Sequence, residues 1–227
     1  MAFLSSIFGK KPEQPSSNPV RETLFGDVPL DQWPPDSLRV DFFPWNAFVA
    51  ARSHFANGDL DAAAANWREI LAHAGLEPRH YLQAWHFLRQ SGHQPSPDTA
   101  KIVLGVVIEV AMPKGLDLLA AYPDHSARYY NFSGAGVVWE HPDSSLDPAI
   151  DQLIEASRLV VAKIGPWDQA RPAQPPRDYA RLSFLTPSGL HFGQGPMAAL
   201  SRDPLGGQVL HIGALLMQAL IAKTKAA

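Results

Sequence analysis

The chain has no cysteine among its 227 residues. That removes disulfides, thiolate metal ligands and cysteine nucleophiles together, and it suits a reducing compartment, so a cytoplasmic location is expected. Charge is also scarce. Charged residues make up 18% of the chain and the formal net charge is −3, which leaves no basic field for a phosphate backbone. Nucleic acid is therefore not an expected partner. No apolar run is long enough to span a bilayer. The longest, KIVLGVVIEVAM, is little more than half of the roughly 20 residues required, and its β-branched content predicts a buried strand. The opening MAFLSSIFGKK has neither a basic start nor a long apolar region, so a secretory signal is not expected.

Apolar residues are plentiful at 46%, enough to bury a core. In the leader, Phe3, Leu4, Ile7 and Phe8 would share one helix face ahead of Lys10 and Lys11. That is the pattern of a short interfacial anchor or a partner-binding peptide, and a mobile terminus is the simpler expectation. The stretch PEQPSSNPVRETLFGDVPLDQWPPDS follows, with the composition of an extended, wrapping segment. Residues 1–36 thus read as a flexible leader and proline-rich arm. Leu24, Phe25, Leu30 and Trp33 are too apolar for a free tail, so part of the arm should lie against the folded body.

Residues 37–94 carry helical periodicity. NAFVAARSHFANGDLDAAAANWREILAHAGLEP predicts two helices joined at Asn57-Gly58-Asp59, where Gly58 ends the first and Asp59 caps the second. Phe48, Ala51 and Phe55 face Ala63, Trp67, Ile70 and Leu71. Gly58, Ala63, Trp67 and Pro78 follow the small-residue, aromatic and proline spacing of a tetratricopeptide helical hairpin, and residues 47–78 resemble that family. The first helix lacks the family's early tryptophan and leucine-glycine pair, and Pro78 comes a few residues late. The resemblance implies a helical hairpin and, beyond it, a peptide-binding surface. A second hairpin would begin at RHYLQAWHFLRQSG, with no third unit after it. Repeat arrays need about three units to bury a continuous core, so this region must pack on the rest of the chain or on a partner.

SGHQPSPDT marks the change to residues 95–227. IVLGVVIEV, LDLLAAY, ARYYNFS and GVVWEH predict three or four antiparallel strands with tight turns. SLDPAIDQLIEASRLVVAKIG predicts a helix with Asp147 as its cap, Pro148 in the first turn and Gly165 past its end. YARLSFLTPSGLHFGQG predicts a hairpin turning at Pro187-Ser188-Gly189. A last helix from about Pro204 would bury Val209, Ile212, Leu216 and Leu220. The fold class is α+β: an antiparallel sheet of about five strands with two helices, in the order strands, helix, hairpin, helix. These units resemble those of roadblock and longin platforms in swapped order, which implies a binding or dimerisation surface.

Candidate sites are few. Ser133 in YYNFSGAGVVWE lies between strands and lacks flanking glycines on both sides, so it reads as a turn serine, not a nucleophile at a strand-to-helix elbow. Glu140, His141 and Asp143 would start an acid–base pair or metal site only with distant ligands, because the nine histidines are scattered. Gly193 and Gly195 lack the third glycine and lysine of a phosphate loop. His191 on the predicted hairpin is expected on a polar face. Trp33 and Trp167 sit in proline-rich loops, where a large ring must dock on the body or meet a partner.

No convergent catalytic, metal or cofactor motif stands out. The sequence therefore points to a non-catalytic interaction or scaffold protein. Its partner would be a protein or a second copy of the chain, met through Trp33, Trp167, Phe3 and Phe8. The alternatives are a hydrolase using His191, His141 and Glu140, and a membrane-peripheral adaptor held by the leader.

Overall fold

The computed structural model describes residues 19–35 and 40–224; Phe3 and Phe8 lie outside them. A short turn α1 (Pro19–Glu22) precedes three helices, α2 (Trp45–Ala56), α3 (Leu60–Ala72) and α4 (Pro78–Gln90), and a second turn α5 (Pro97–Ala100). Strands β1 (Gly105–Met112), β2 (Gly115–Ala121), β3 (Ala127–Tyr130) and β4 (Gly136–Trp139) follow as a meander. Helix α6 (Asp147–Val161), strands β5 (Tyr179–Thr186) and β6 (Gly189–Pro196), a turn α7 (Met197–Leu200) and α8 (Gly206–Thr224) complete the order. Among the described residues, no helix is long and apolar enough to cross a membrane.

Local chemistry places the boundaries. Asp59 accepts a hydrogen bond from the Ala62 amide at 3.1 Å, and Gly58 holds φ +81°, the left-handed geometry that ends α2. Trp67 and Ile70 of α3 pack against Phe48 and Ala51 of α2 and Phe87 of α4. Phe55, expected inside, is instead partly exposed at the rim. The α6 start also departs from expectation. Asp143 caps the short 3-10 turn Ser144–Leu146 through the Ser145 amide, while the Asp147 carboxylate turns toward two histidines instead of capping the helix.

The sheet has six strands, all antiparallel, in the order β4-β3-β2-β1-β5-β6. The count of about five falls short because all four segments of the meander form strands. β4 has only four residues, but its turn is fixed by the Asn131 side chain, which accepts from the Ser133 amide at 2.9 Å and the Ala135 amide at 3.1 Å. The stretch YYNFSGAGVVWE is thus a hairpin, with Ser133 in its turn.

One face of the sheet, including Val106, Ile108, Leu119, Leu182 and Phe184, is covered by α6 and α8 through Ile150, Leu153, Val209, Leu216 and Leu220. The other face is covered by a different device. Leu24 and Phe25 of the arm, with Leu82 of α4, bury Val107, Leu118, Ala120, Tyr122 and Leu185. Burying Leu24 and Phe25 contributes about 1.5–3 kcal/mol each. The arm is therefore a layer of the fold over residues 19–35, wedged between the helical region and the sheet. Leu30 and Trp33 continue it into the helical core.

Polar groups hold the wedge in register. The buried Gln83 amide pairs with both backbone groups of Val28, at 3.0 and 2.8 Å, and the Tyr122 hydroxyl donates to the Leu24 carbonyl at 2.7 Å. Beneath them lies Glu109, fully buried in the middle of β1. Its carboxylate meets Arg21 Nε at 2.6 Å and Arg181 Nη1 at 3.4 Å, and both guanidiniums also donate to the Pro172 carbonyl. The arm, the central strands and the proline-rich loop after α6 are thus tied at one buried carboxylate.

Gly26 makes the close approach possible. It holds φ +62°, and a β-carbon there would stand 2.7 Å from Leu82 Cβ and 3.0 Å from the Arg79 carbonyl. Replacing it with alanine is expected to cost about 2–4 kcal/mol, from the left-handed backbone and the clash with helix α4 together. Urea unfolding would measure the loss, and limited proteolysis should show cleavage within residues 19–35. An unchanged midpoint would refute this account of the arm.

Candidate functional site

The arm, α4, the loop after α6 and the β5–β6 turn do not close completely. They leave a cleft of about 590 Å³, lined among others by Phe25, His86, Arg89, Trp167, Arg171 and Ser188. His86, Arg89 and Gln90 share one face of α4 because they stand at i, i+3 and i+4. Trp167 is positioned by its amide, which donates to the Leu190 carbonyl at 2.6 Å, and by its indole N–H, which donates to the Ala170 carbonyl at 3.1 Å. Its ring meets Phe192 edge-on at 5.2 Å and remains 38% exposed.

The two cations of the cleft differ in their commitments. Arg171 is saturated: it pairs with Asp27 at 2.6 Å and with Glu22, and it lies over the Phe25 ring at 4.2 Å. These pairings hold the Arg171 pKa above its ordinary value despite burial. Arg89 donates to the Pro187 carbonyl at 2.6 Å and has no carboxylate within ion-pair distance among the described residues. Burial lowers its pKa to about 10, with only a distant pull from Asp27 opposing. It remains charged at neutral pH, with Asp27 acting on it only from beyond ion-pair contact. His86 lies 3.1 Å from the Gln90 amide nitrogen, and burial pushes its pKa down to about 4, so it is neutral there. The cleft thus sets the Arg89 guanidinium beside neutral His86 and Gln90, with Asp27, Asp168 and the paired Arg171 also in its lining and an indole at its lip.

Of the residues singled out from sequence, Trp167 reaches this cleft. Trp33 does not: it packs within the chain, 5.3 Å from Trp45 and 5.7 Å from Phe48. His191 is buried, not on a polar face. The two-residue turn sets it opposite Phe184, on the side covered by α6 and α8, where burial and the nearby Lys101 lower its pKa. Its Nε2 lies 3.1 Å from the Ser188 hydroxyl. His141 follows β4, at the opposite edge of the sheet from β6. Five strand spacings of about 4.8 Å separate those edges by on the order of 20 Å, so His191, His141 and Glu140 do not form one site. Glu140 is exposed and paired with Arg128 at 2.7 Å.

Arg89 and His86 were missed because nothing in α4 itself signals the loop and arm that surround them. His125, His141 and Asp147 converge elsewhere, and among the described residues they are the group whose donor atoms lie close enough together to hold a metal. No family model, curated protein or solved structure matches the chain.

Proposed function

We propose that this is a non-catalytic binding protein whose cleft takes a carboxylate-bearing segment of a protein partner, acting in the reducing cytoplasm that a cysteine-free chain suits. The observation that carries the reading is Arg89, a half-buried cation with no carboxylate in ion-pair contact among the described residues, facing a cleft with a half-exposed tryptophan at its lip. A carboxylate would supply the missing charge through bidentate hydrogen bonds, and an apolar or aromatic neighbour on the same segment would stack on Trp167. The tetratricopeptide-like hairpin has a supporting role here, because its α4 neighbour furnishes one wall.

Panning the full chain against displayed acidic peptides tests this. Selected peptides should lose at least about tenfold in affinity on Arg89→Gln, a loss of about 1.4 kcal/mol, and should weaken on Trp167→Ala. Selection of no acidic peptide, or affinities indifferent to both changes, would overturn it.

One observation favours a second reading, a hydrolase. Ser188 lines the cleft, and its hydroxyl lies 3.1 Å from an imidazole that burial keeps neutral. Against it, His191 Nδ1 meets no carboxylate among the described residues, and the Ser188 hydroxyl is shared with Thr186 at 2.9 Å. A working triad needs that third group to orient the imidazole. Labelling of Ser188 by a fluorophosphonate, lost in Ser188→Ala, would establish the enzyme; no labelling would eliminate it.

A further inference from the structure

The antiparallel order brings the β2–β3 turn and the link from β4 to α6 to one end of the sheet. Ala121, Ala127 and Trp139 are in register across β2, β3 and β4, so the β2–β3 turn adjoins the exit of β4. His125 occupies that turn, His141 lies just past β4, and Asp147 opens α6. One donor atom from each lies within 4.8 Å of the others. His141 Nε2 is 3.0 Å from Asp147 Oδ1, and His125 Nδ1 is 3.8 Å from Asp147 Oδ2. Donors around a tetrahedral zinc, with bonds of 2.0–2.2 Å, stand about 3.3 Å apart, so the cluster needs only small side-chain movements to match that spacing.

Three further features point to a ligand. The other nitrogen of the His125 ring, Nε2, lies 3.0 Å from Asp151 Oδ1, one helical turn beyond Asp147. A proton held on Nε2 by that carboxylate leaves the Nδ1 lone pair facing Asp147, which is the outer-shell arrangement that orients metal-bound imidazoles. Asp147 Oδ1 is buried without a hydrogen bond, since the aligned contact of His141 goes to Oδ2 at 3.3 Å. Both histidines also hold left-handed backbones, φ +63° and +53°, a conformation that disfavours any residue with a β-carbon. The two imidazoles thus converge on one carboxylate.

We propose that His125 Nδ1, His141 Nε2 and an Asp147 oxygen bind a divalent transition-metal ion of the zinc class. Asp151 orients His125, and one coordination position is left for water or an outside ligand. The site is at the far edge of the sheet from the cleft and stands independently of the cleft's function. It would pin the meander to the first turn of α6.

The test is cobalt(II) and zinc binding to the full, chelator-treated chain, followed by visible absorption and calorimetry at pH 7.5. One equivalent of cobalt should give the intense absorption of a four-coordinate ion and be displaced by zinc. His125→Asn and His141→Asn should each abolish that signal, and Asp151→Asn should weaken zinc roughly 10–100-fold. Asparagine tolerates the left-handed backbone, so the loss reports the imidazole and not a disrupted turn; unchanged far-ultraviolet dichroism checks the fold. A wild-type chain that binds no stoichiometric metal, or variants that bind as the wild type does, would overturn the proposal.

Discussion

Replacing Glu109 with alanine is expected to destabilise the protein by about 3–5 kcal/mol, because it leaves two buried guanidiniums without their shared anion. Arg21 and Arg181 are nearly as buried as Glu109 itself, so water cannot take over the role of the carboxylate. Glu109→Gln keeps the volume and one acceptor and should recover only part of the loss. The effect is directional as well as large. Arg21 belongs to the arm and Arg181 to β5, so losing the anion should release the arm first. Urea unfolding would give the magnitude, and hydrogen exchange should show the Val28 and Leu24 contacts opening ahead of the sheet. A loss below about 1 kcal/mol would mean that the guanidiniums reach solvent and that the network stabilises little.

The second large effect is acid sensitivity arising from histidines. His80, His86 and His191 all have pKa values lowered by burial, His86 to about 4. Each is neutral in the folded chain at a pH where the unfolded chain, with its histidines near 6.5, has begun to take up protons. The unfolded state therefore binds more protons, and stability falls as pH drops from about 6.5 toward 4. All three act in the same direction, and His86, with its pKa near 4, contributes a slope of up to about 1.4 kcal/mol per pH unit in the middle of that window. Glu22 and Glu77, whose pKa values are lowered by their arginine partners against the effect of burial, lose their contribution only below about 4.5. Chemical denaturation between pH 7.5 and 5 should show the decline before any carboxylate titrates. His86→Gln should reduce the slope by about one site's share. A flat profile down to pH 5 would show that the three imidazoles are solvated.

What could be read from the chain beforehand was local. Gly58 with Asp59, and Pro187-Ser188 ahead of Gly189, carry their instructions within a few residues, and the helix caps and hairpins follow from them. The strand count went astray at β4, where four residues rely on an Asn131 side chain for their turn. The arm's docking was visible only as misplaced apolar residues; its partners are far along the chain, as with Arg21 and Glu109. A lone glutamate inside the β-branched run of β1 was nonetheless a signal, since a charge at that phase must be buried and matched. Asp147 was misjudged for a related reason. Next to Pro148 it has the ingredients of a cap, and only the register of β3 with β4 brings His125 and His141 to it. Of the cleft, Trp167 alone was singled out beforehand as a site residue, because four separate segments form its walls.

The arm has a consequence for synthesis. Residues 19–35 leave the ribosome before β1, yet the groups that receive them, Gln83, Glu109, Tyr122 and Arg171, are spread over the following stretches of chain. Until β5 delivers Arg181, Glu109 has only part of its neutralising charge. Long loops must close before these contacts form, and such closures slow folding. On the nascent chain, the cover of Val107, Leu118 and Ala120 is thus made before the last of its ties, and an early stop at the start of the loop after α6 would leave that cover without Arg171 and Arg181.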